Sequence, residues 1–181
     1  NLGGAAACAK SGKAHIVCEN DADCIEKIKA LLDYLPDNNL SASPFGGEND
    51  DINRTSEVLN SADTENLDIR TVINEISDAS SVLELSKDFA PNVATALVKL
   101  GGESAAVVAA SGELDITGCK KASRFVRFAD SFNIPVVTIT NVTGFKADKN
   151  EEDANSLASA AELISAYAEA TTAKIDIIAG A

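Results

Sequence analysis

The pattern of apolar and polar positions predicts alternating strands and helices in the second half of the chain. Two apolar runs flank Gly101–Gly102 and predict a β-hairpin, because paired glycines supply the positive φ angles of a tight turn. Pro135–Thr140 is a continuous β-branched run, which is typical of a strand buried on both faces. Strands that alternate with helices indicate an α/β fold with a mostly parallel sheet and right-handed crossovers. The predicted strands are 82–85, 93–100, 104–110, 135–140 and 174–179, and the predicted helices are 69–76, 117–132 and 152–170.

The first half contains an amphipathic helix followed by a long polar stretch. Asp21 or Asp23 can cap the helix, and Pro36 ends it. Its predicted apolar face comprises Ile25, Ile28, Leu31, Leu32 and Leu35. Residues 40–67 are rich in Ser, Asn, Asp, Gly and Glu and have few apolar anchors. We interpret them as a connector between two structural units.

The charge of the chain argues against some classes of partner. The 181 residues carry a formal net charge of −13. Neutralising phosphates needs clustered Lys and Arg, so nucleic acid and anionic membranes are not expected as main partners. The basic residues cluster once, at Lys120, Lys121, Arg124 and Arg127. Helical spacing spreads these four over two faces, which leaves a solvated helix flank and an anion site both open.

The sequence indicates a cytoplasmic protein of which these residues are a part. No run of about 18 apolar residues could span a bilayer, and the N-terminus lacks a signal-peptide pattern. The chain contains no Met and ends on an apolar strand pattern, so we interpret it as a fragment of a longer protein.

Side-chain chemistry offers few candidates. A metal site built from Cys8, His15, Cys18 and Cys24 would lack paired C-x-x-C spacing, so we expect no metal and mostly buried, reduced thiols. The single histidine lies in a different unit from every candidate serine, which disfavours a Ser–His pair. Neighbouring carboxylates such as those at 151–152 and 50–51 lie in polar stretches, where solvated surface charge is the simpler interpretation.

Backbone groups are the remaining candidates. Two predicted strands end in small-residue loops, at Ala109–Gly112 and at Thr143–Phe145. The first of these loops is predicted to continue to residue 116, and a third predicted strand ends at Gly180. Small residues let a ligand approach the main chain, where exposed N–H groups can hold a developing oxyanion. Ordinary strand-to-helix turns are the alternative interpretation.

Several runs resemble a known family. They are LDI at 114–116, SRFVRF at 123–128, FNIP at 132–135, AYAEAT at 166–171 and LLDYLPDNN at 31–39. Taken in their order along the chain, they are similar to the carboxyltransferase subunits of biotin-dependent acyl-CoA carboxylases and decarboxylases. This family includes the propionyl-CoA carboxylase β subunit and the α subunits of methylmalonyl-CoA and glutaconyl-CoA decarboxylases. The resemblance covers essentially the whole chain.

The resemblance implies a partial crotonase-like fold, a ββα spiral. Residues 1–36 would be the tail of an acyl-CoA-binding half, 37–67 a connector, and 68–181 the start of a biotin-binding half. Backbone amides, rather than titrating side chains, would hold the oxyanions. The resemblance assigns catalytic roles to Gly144, Phe145 and Ala110, and biotin contacts to Ala109, Ser111, Gly112 and Thr143.

The resemblance also implies partners and leaves alternatives open. Biotin would arrive on a separate carrier domain, acyl-CoA would be the substrate, and the subunit would form a homo-oligomer built from dimers, with a hexamer as one form. A membrane decarboxylase partner is an option, and carboxylase and decarboxylase activities are both open. The run Asn141–Phe145 departs from the common family sequence, so the acyl substrate is also open.

The alternative functions are those of another crotonase-type acyl-CoA enzyme or of a non-catalytic assembly fragment. We expect the 181 residues alone not to turn over.

Overall fold

The computed structural model describes residues 3–38, 40–47, 50–51, 53–63 and 67–179. The helices are α1 (Ala5–Lys10), α2 (Asp21–Leu32), α3 (Glu57–Asn60), α4 (Ile69–Ile76), α5 (Ile116–Ser131), α6 (Lys149–Asp153) and α7 (Ser156–Glu169). The strands are β1 (Leu83–Leu85), β2 (Val93–Leu100), β3 (Glu103–Leu114), β4 (Val136–Phe145) and β5 (Lys174–Ile178). Among the described helices, none is long and apolar enough to cross a membrane.

The five strands form one sheet in the order β1-β2-β3-β4-β5. The α/β fold is confirmed, and so is the β2–β3 hairpin, in which both Gly101 and Gly102 have positive φ. The β1–β2 and β2–β3 pairs are antiparallel, whereas β3–β4 and β4–β5 are parallel. The sheet is therefore mixed, with two antiparallel and two parallel strand pairs, rather than mostly parallel. The two antiparallel pairs come first along the chain, and the two parallel pairs are joined by helical crossovers.

The sheet has a hydrophobic core on each face. Alternate strand residues point to opposite faces, so Val93 and Leu97 of β2 pack in one core while Ala94 and Ala96 pack in the other. Helix α5 packs on the first face with Phe125 and its neighbours, and α7 lies beside it. Helix α4 covers the second face. Burial on both faces explains why the central strands are apolar without polar alternation.

Several predicted boundaries need correction. The predicted strands 104–110 and 135–140 are each longer at the carboxyl end, since β3 continues to Leu114 and β4 to Phe145. The predicted helix 152–170 is two helices, because Asn155 adopts a left-handed conformation (φ 68°) between α6 and α7. The helix predicted from Asp21 ends at Leu32, and no residue of it is buried.

The polar connector is anchored to the second unit. Arg54 pairs with Asp50 at 3.2 Å and donates to the carbonyl oxygens of Glu75, at 2.9 Å, and Ser77. These carbonyls lie at the end of α4, where helical oxygens lack intrahelical partners. The prediction that Asp50 is a solvated surface charge is therefore wrong.

Further upstream, Tyr34 is buried in the first core and donates to the carbonyl oxygen of Ser81.

Candidate active site

Strands β3 and β4 extend beyond their neighbours at the carboxyl end of the sheet. The last residue of β3 that pairs with β2 is Ala110, and the last residue of β4 that pairs with β5 is Thr140. Residues 111–114 and 141–145 pair with each other beyond this point, and we call this two-stranded extension the ribbon. Within the described part of the chain, no strand pairs with either outer edge of the ribbon. Ligands bind at this end of open α/β sheets.

The register of the ribbon changes by one residue near its middle. Gly112 pairs with Val142, but Glu113 pairs with Gly144, so Thr143 is an extra residue of β4 without a partner on β3. Such β-bulges bend a strand and are over-represented next to active sites. The irregularity distinguishes this part of the β3–β4 pair from the regular ladder before it.

Both glycines of the ribbon are accessible from outside. Gly112 has φ 70° and Gly144 has φ 155°, values that L-residues with side chains rarely adopt. A β-carbon built on either glycine meets no atom within 4 Å. Open space therefore borders the main chain at both positions, and a ligand can approach the peptide groups there.

Asn92, just before β2, supports the outer edge of β3. Its carbonyl oxygen accepts from the Ser111 amide at 3.0 Å, and its side-chain Nδ2 donates to the Glu113 carbonyl at 2.9 Å. These two bonds replace the strand pairing that ends at Val93. Sequence reasoning missed Asn92, because no local pattern marks a side chain that bonds a segment 21 residues away.

The structure distributes the predicted site residues over two environments. Ser111, Gly112, Thr143, Gly144 and Phe145 belong to the ribbon. Ala109 and Ala110 instead lie inside the sheet, each flanked by β2 and β4. The predicted loop at 111–116 is wrong, because β4 supplies pairing partners through Leu114. Gly180 lies outside the described residues.

A cavity of about 610 Å³ lies where the ribbon ends. Phe145, Lys146 and Asp148 line one side of it, and Leu157 and Ile164 of α7 line another. Lys146 pairs with Asp148 at 3.2 Å, and their hydrogen bond raises the pKa of Lys146. The Glu151 backbone amide and then Lys146 lower the pKa of the Asp148 carboxyl. Phe145 is 53% exposed, so an apolar surface is available beside the ribbon.

The acidic pair at 151–152 includes a structural residue. The Glu151 carboxylate accepts from the Ile116 amide at 2.9 Å, at the N-terminus of α5. Asp115 accepts from the Gly118 amide at 2.7 Å in the same turn. Carboxylates stabilise helix N-termini, so the prediction that Glu151 is solvated surface charge is wrong.

The cysteines are less buried than predicted. Cys119 is buried, and burial raises its pKa to about 11. Cys8 and Cys18 are half-buried, and Cys24 is exposed. All four thiols are free, and within the described ranges no group of three or more His, Cys, Asp or Glu side chains could hold a metal ion.

Comparison with known families shows which family this chain belongs to. The carboxyl transferase domain family matches residues 1–181. The chain belongs to this family. The predicted resemblance is therefore confirmed, and the ribbon with its bulge is a feature of a carboxyl transferase domain.

Named relatives of this carboxyl transferase domain act on acyl-CoA compounds. It is 38% identical over 188 residues to the methylmalonyl-CoA decarboxylase α subunit of Veillonella parvula, covering 98% of this chain and 37% of that protein. It is 36% identical over 187 residues to the propionyl-CoA carboxylase β chain of Cereibacter sphaeroides, covering 98% of this chain and 37% of that protein. The domain thus spans little more than a third of the length of these relatives.

A solved structure has the same fold. The carboxyl transferase domain matches transcarboxylase 12S with a TM-score of 0.92 and 36% identity, over 98% of this chain and 36% of that chain. That structure is described as a hexamer assembly with methylmalonyl-coenzyme A and methylmalonic acid bound. The match confirms the crotonase-like assignment of the fold.

Proposed function

We infer that the protein containing this domain transfers a carboxyl group between biotin and the α-carbon of a short-chain acyl-CoA. The observation that carries this inference is family membership over the whole chain, together with an open, bulged ribbon at the carboxyl end of the sheet. Removing a carboxyl group or a proton from an acyl-CoA α-carbon places negative charge on the thioester oxygen. Backbone N–H groups stabilise such an oxygen in transition states.

Gly144 and Phe145 are the proposed donors. Both lie on the ribbon after the unpaired Thr143, where the regular ladder is interrupted. Removing one oxyanion donor typically costs about 100- to 1,000-fold in rate, so two amides suffice for a large effect. The Ala110 amide faces β4, because the Ala106 amide on the same side of β3 donates to the Pro135 carbonyl, whereas the Ser111 amide faces Asn92. Its proposed role therefore requires the β3–β4 pairing to open near Thr140.

The ribbon is also the proposed binding site for the ring of biotin. When bound, biotin supplies the activated carboxyl group through its ureido ring, whose oxygen accepts hydrogen bonds. The open space at Gly112 and Gly144 gives a planar ring access to the main chain. Ala109, Ser111, Gly112 and Thr143 are the proposed contacts. Ser111 and Gly112 are small and leave room for the ring, whereas Ala109 is buried in the second core, so its contact requires the sheet to open there. Biotin would be carried by a separate carrier domain.

An oligomer is part of the proposal. The related transcarboxylase 12S assembles as a hexamer. In this chain α7 exposes Leu157 at 80% and Ile164 at 63%, beside the cavity at the end of the ribbon. Apolar side chains of this size favour burial against a second surface, so we place a subunit contact there.

We also expect residues 1–36 to belong to an acyl-CoA-binding half, and the enzyme to act in the cytoplasm.

Label exchange tests the proposed function. The full-length protein is incubated with methylmalonyl-CoA carrying a labelled free carboxyl group, with and without free biotin. We expect label in carboxybiotin and biotin-dependent release of propionyl-CoA. Reaction of methylmalonyl-CoA at the same rate without biotin would instead support a different crotonase-type acyl-CoA enzyme. No reaction under any condition, including addition of the carrier domain, would support an assembly role.

A further inference from the structure

A second cavity lies away from the ribbon. It has a volume of about 610 Å³, which is within the range of small-molecule sites. Its walls come from α5, from the segment 13–16 and from residues around β1. The apolar part of its lining comprises Ile16, Leu31, Leu85, Phe89, Phe125 and Phe128. None of its lining residues belongs to the ribbon or to the cavity beside Phe145.

The charge of this cavity is opposite to the charge of the chain. The protein has 28 acidic and 15 basic residues. The cavity is nevertheless lined by Lys13, Lys121 and Arg124 and by no Asp or Glu. An apolar pocket with only basic charge favours an anion that has an apolar body.

Lys121 supplies a buried positive charge. Its side chain is only 4% exposed, so the interpretation of a solvated helix flank is wrong for this residue. The ammonium donates to the carbonyl oxygens of Val93 at 2.6 Å, Phe89 at 2.7 Å and Ala90 at 3.4 Å. Within the described residues it forms no ion pair with a carboxylate, so its charge is not neutralised by direct contact.

Arg124 supplies hydrogen-bond donors. Its Nη1 donates to the Gly12 carbonyl at 3.1 Å, and its Nη2 contacts Nε2 of His15 at 2.9 Å. Since a guanidinium only donates, His15 Nε2 is the acceptor and the imidazole is neutral. Burial and then Arg124 lower the pKa of His15, which is consistent with this state. A guanidinium has five N–H donors, so these two contacts leave others for a ligand.

We propose that this cavity binds a monocarboxylate with an apolar tail, of the fatty-acid type. The phenylalanine and leucine walls would enclose the tail, and Arg124 would hold the carboxylate by charge-assisted hydrogen bonds, with Lys121 adding favourable charge. A free phosphate would leave the apolar walls unfilled. The proposal does not depend on carboxyl transfer, because the two sites share no residue.

Calorimetric titration of the full-length protein with octanoate and with 1-octanol tests the proposal. The two probes share a tail but differ in charge. We expect octanoate to bind at least about tenfold more tightly, because hydrogen bonds to charged groups contribute strongly. Equal affinities, or no octanoate binding at millimolar concentration, would overturn the proposal.

Two arginine variants locate the site. Arg124→Gln should weaken octanoate binding about tenfold, because it removes the charged donor. Arg127→Gln is the matched control, since Arg127 lies on the same helix but pairs with Glu162 at 3.2 Å and does not line the cavity. An equal loss in both variants, or unchanged binding in Arg124→Gln, would contradict the assignment.

Discussion

The side chain of Asn92 donates to the carbonyl oxygen of Glu113 at 2.9 Å, which ties the start of β2 to the ribbon. The backbone of Asn92 also accepts from Ser111. One residue outside any strand thus supports the edge of β3 where regular pairing has ended. The position of the proposed oxyanion donors depends on this support, because Glu113 is the partner of Gly144.

Replacing Asn92 should therefore affect rate more than stability. Asn92→Ala removes the side-chain bond, which contributes only about 1 kcal/mol to folding. We expect kcat for carboxyl exchange to fall about tenfold, because small displacements of positioning groups are costly in catalysis. The control is Asn74→Ala, since Asn74 makes a similar side-chain bond to the Arg70 carbonyl at 2.9 Å on α4. Equal rates in the two variants would argue against a positioning role.

A side chain at Gly144 should reduce the proposed carboxyl exchange through both the blocked space and the backbone strain at φ 155°. An added β-carbon meets no atom within 4 Å, but it would fill the open space beside the proposed donor. For Gly144→Ala we expect about a 100-fold loss of kcat, comparable to losing one oxyanion donor. Gly3→Ala is the matched control, because Gly3 also has positive φ (86°) and open surroundings. Full activity of Gly144→Ala would exclude this position from the active site.

Lys121 should make stability depend on pH in the alkaline range. Burial lowers the pKa of Lys121 from 10.5 to about 8. Between these values the unfolded chain binds the proton and the folded chain does not, so stability rises with pH. Urea unfolding at pH 8, 9 and 10 should show this rise in the wild type and in Lys120→Met, an exposed neighbour, but not in Lys121→Met. A rise of the same size in Lys121→Met would show that another group is responsible.

Asp130 should contribute stability that is lost in acid. Its carboxylate accepts from the Thr171 amide at 2.7 Å, the Thr172 amide at 3.0 Å and the Thr171 hydroxyl at 3.2 Å. The Thr172 amide, followed by Thr171, lowers the pKa of Asp130 below 3.8. Its contribution is complete above pH 3.8 and disappears as the pH falls through the lowered pKa.

The substitution Asp130→Asn tests this contribution. We expect a loss of about 1 kcal/mol in unfolding free energy at pH 7, because the charged acceptor is removed. The difference from wild type should shrink at pH 3. Asp37→Asn, at an exposed position, should change little at either pH. A constant difference at both pH values would attribute the loss to geometry rather than charge.

The amino-acid sequence was sufficient for the elements with a strong local pattern. The hairpin at Gly101–Gly102 follows from the conformational freedom of two glycines between apolar runs. The helix from residue 117 was correct within one residue at each end, because its apolar face repeats regularly and Asp115 caps its start. Family membership was also readable, since several ordered runs are more specific than any single pattern.

The tertiary structure alone decided whether small-residue segments are loops or strands. Ala109–Gly112 has no side-chain pattern that distinguishes these states, and its backbone became extended because β4 offers hydrogen-bond partners from a distant part of the chain. The same reason applies to Lys121 and Asn92, whose roles come from carbonyl groups on other elements. A local pattern encodes which face of an element is apolar, whereas hydrogen-bond partners far along the chain are set only when those elements pack together.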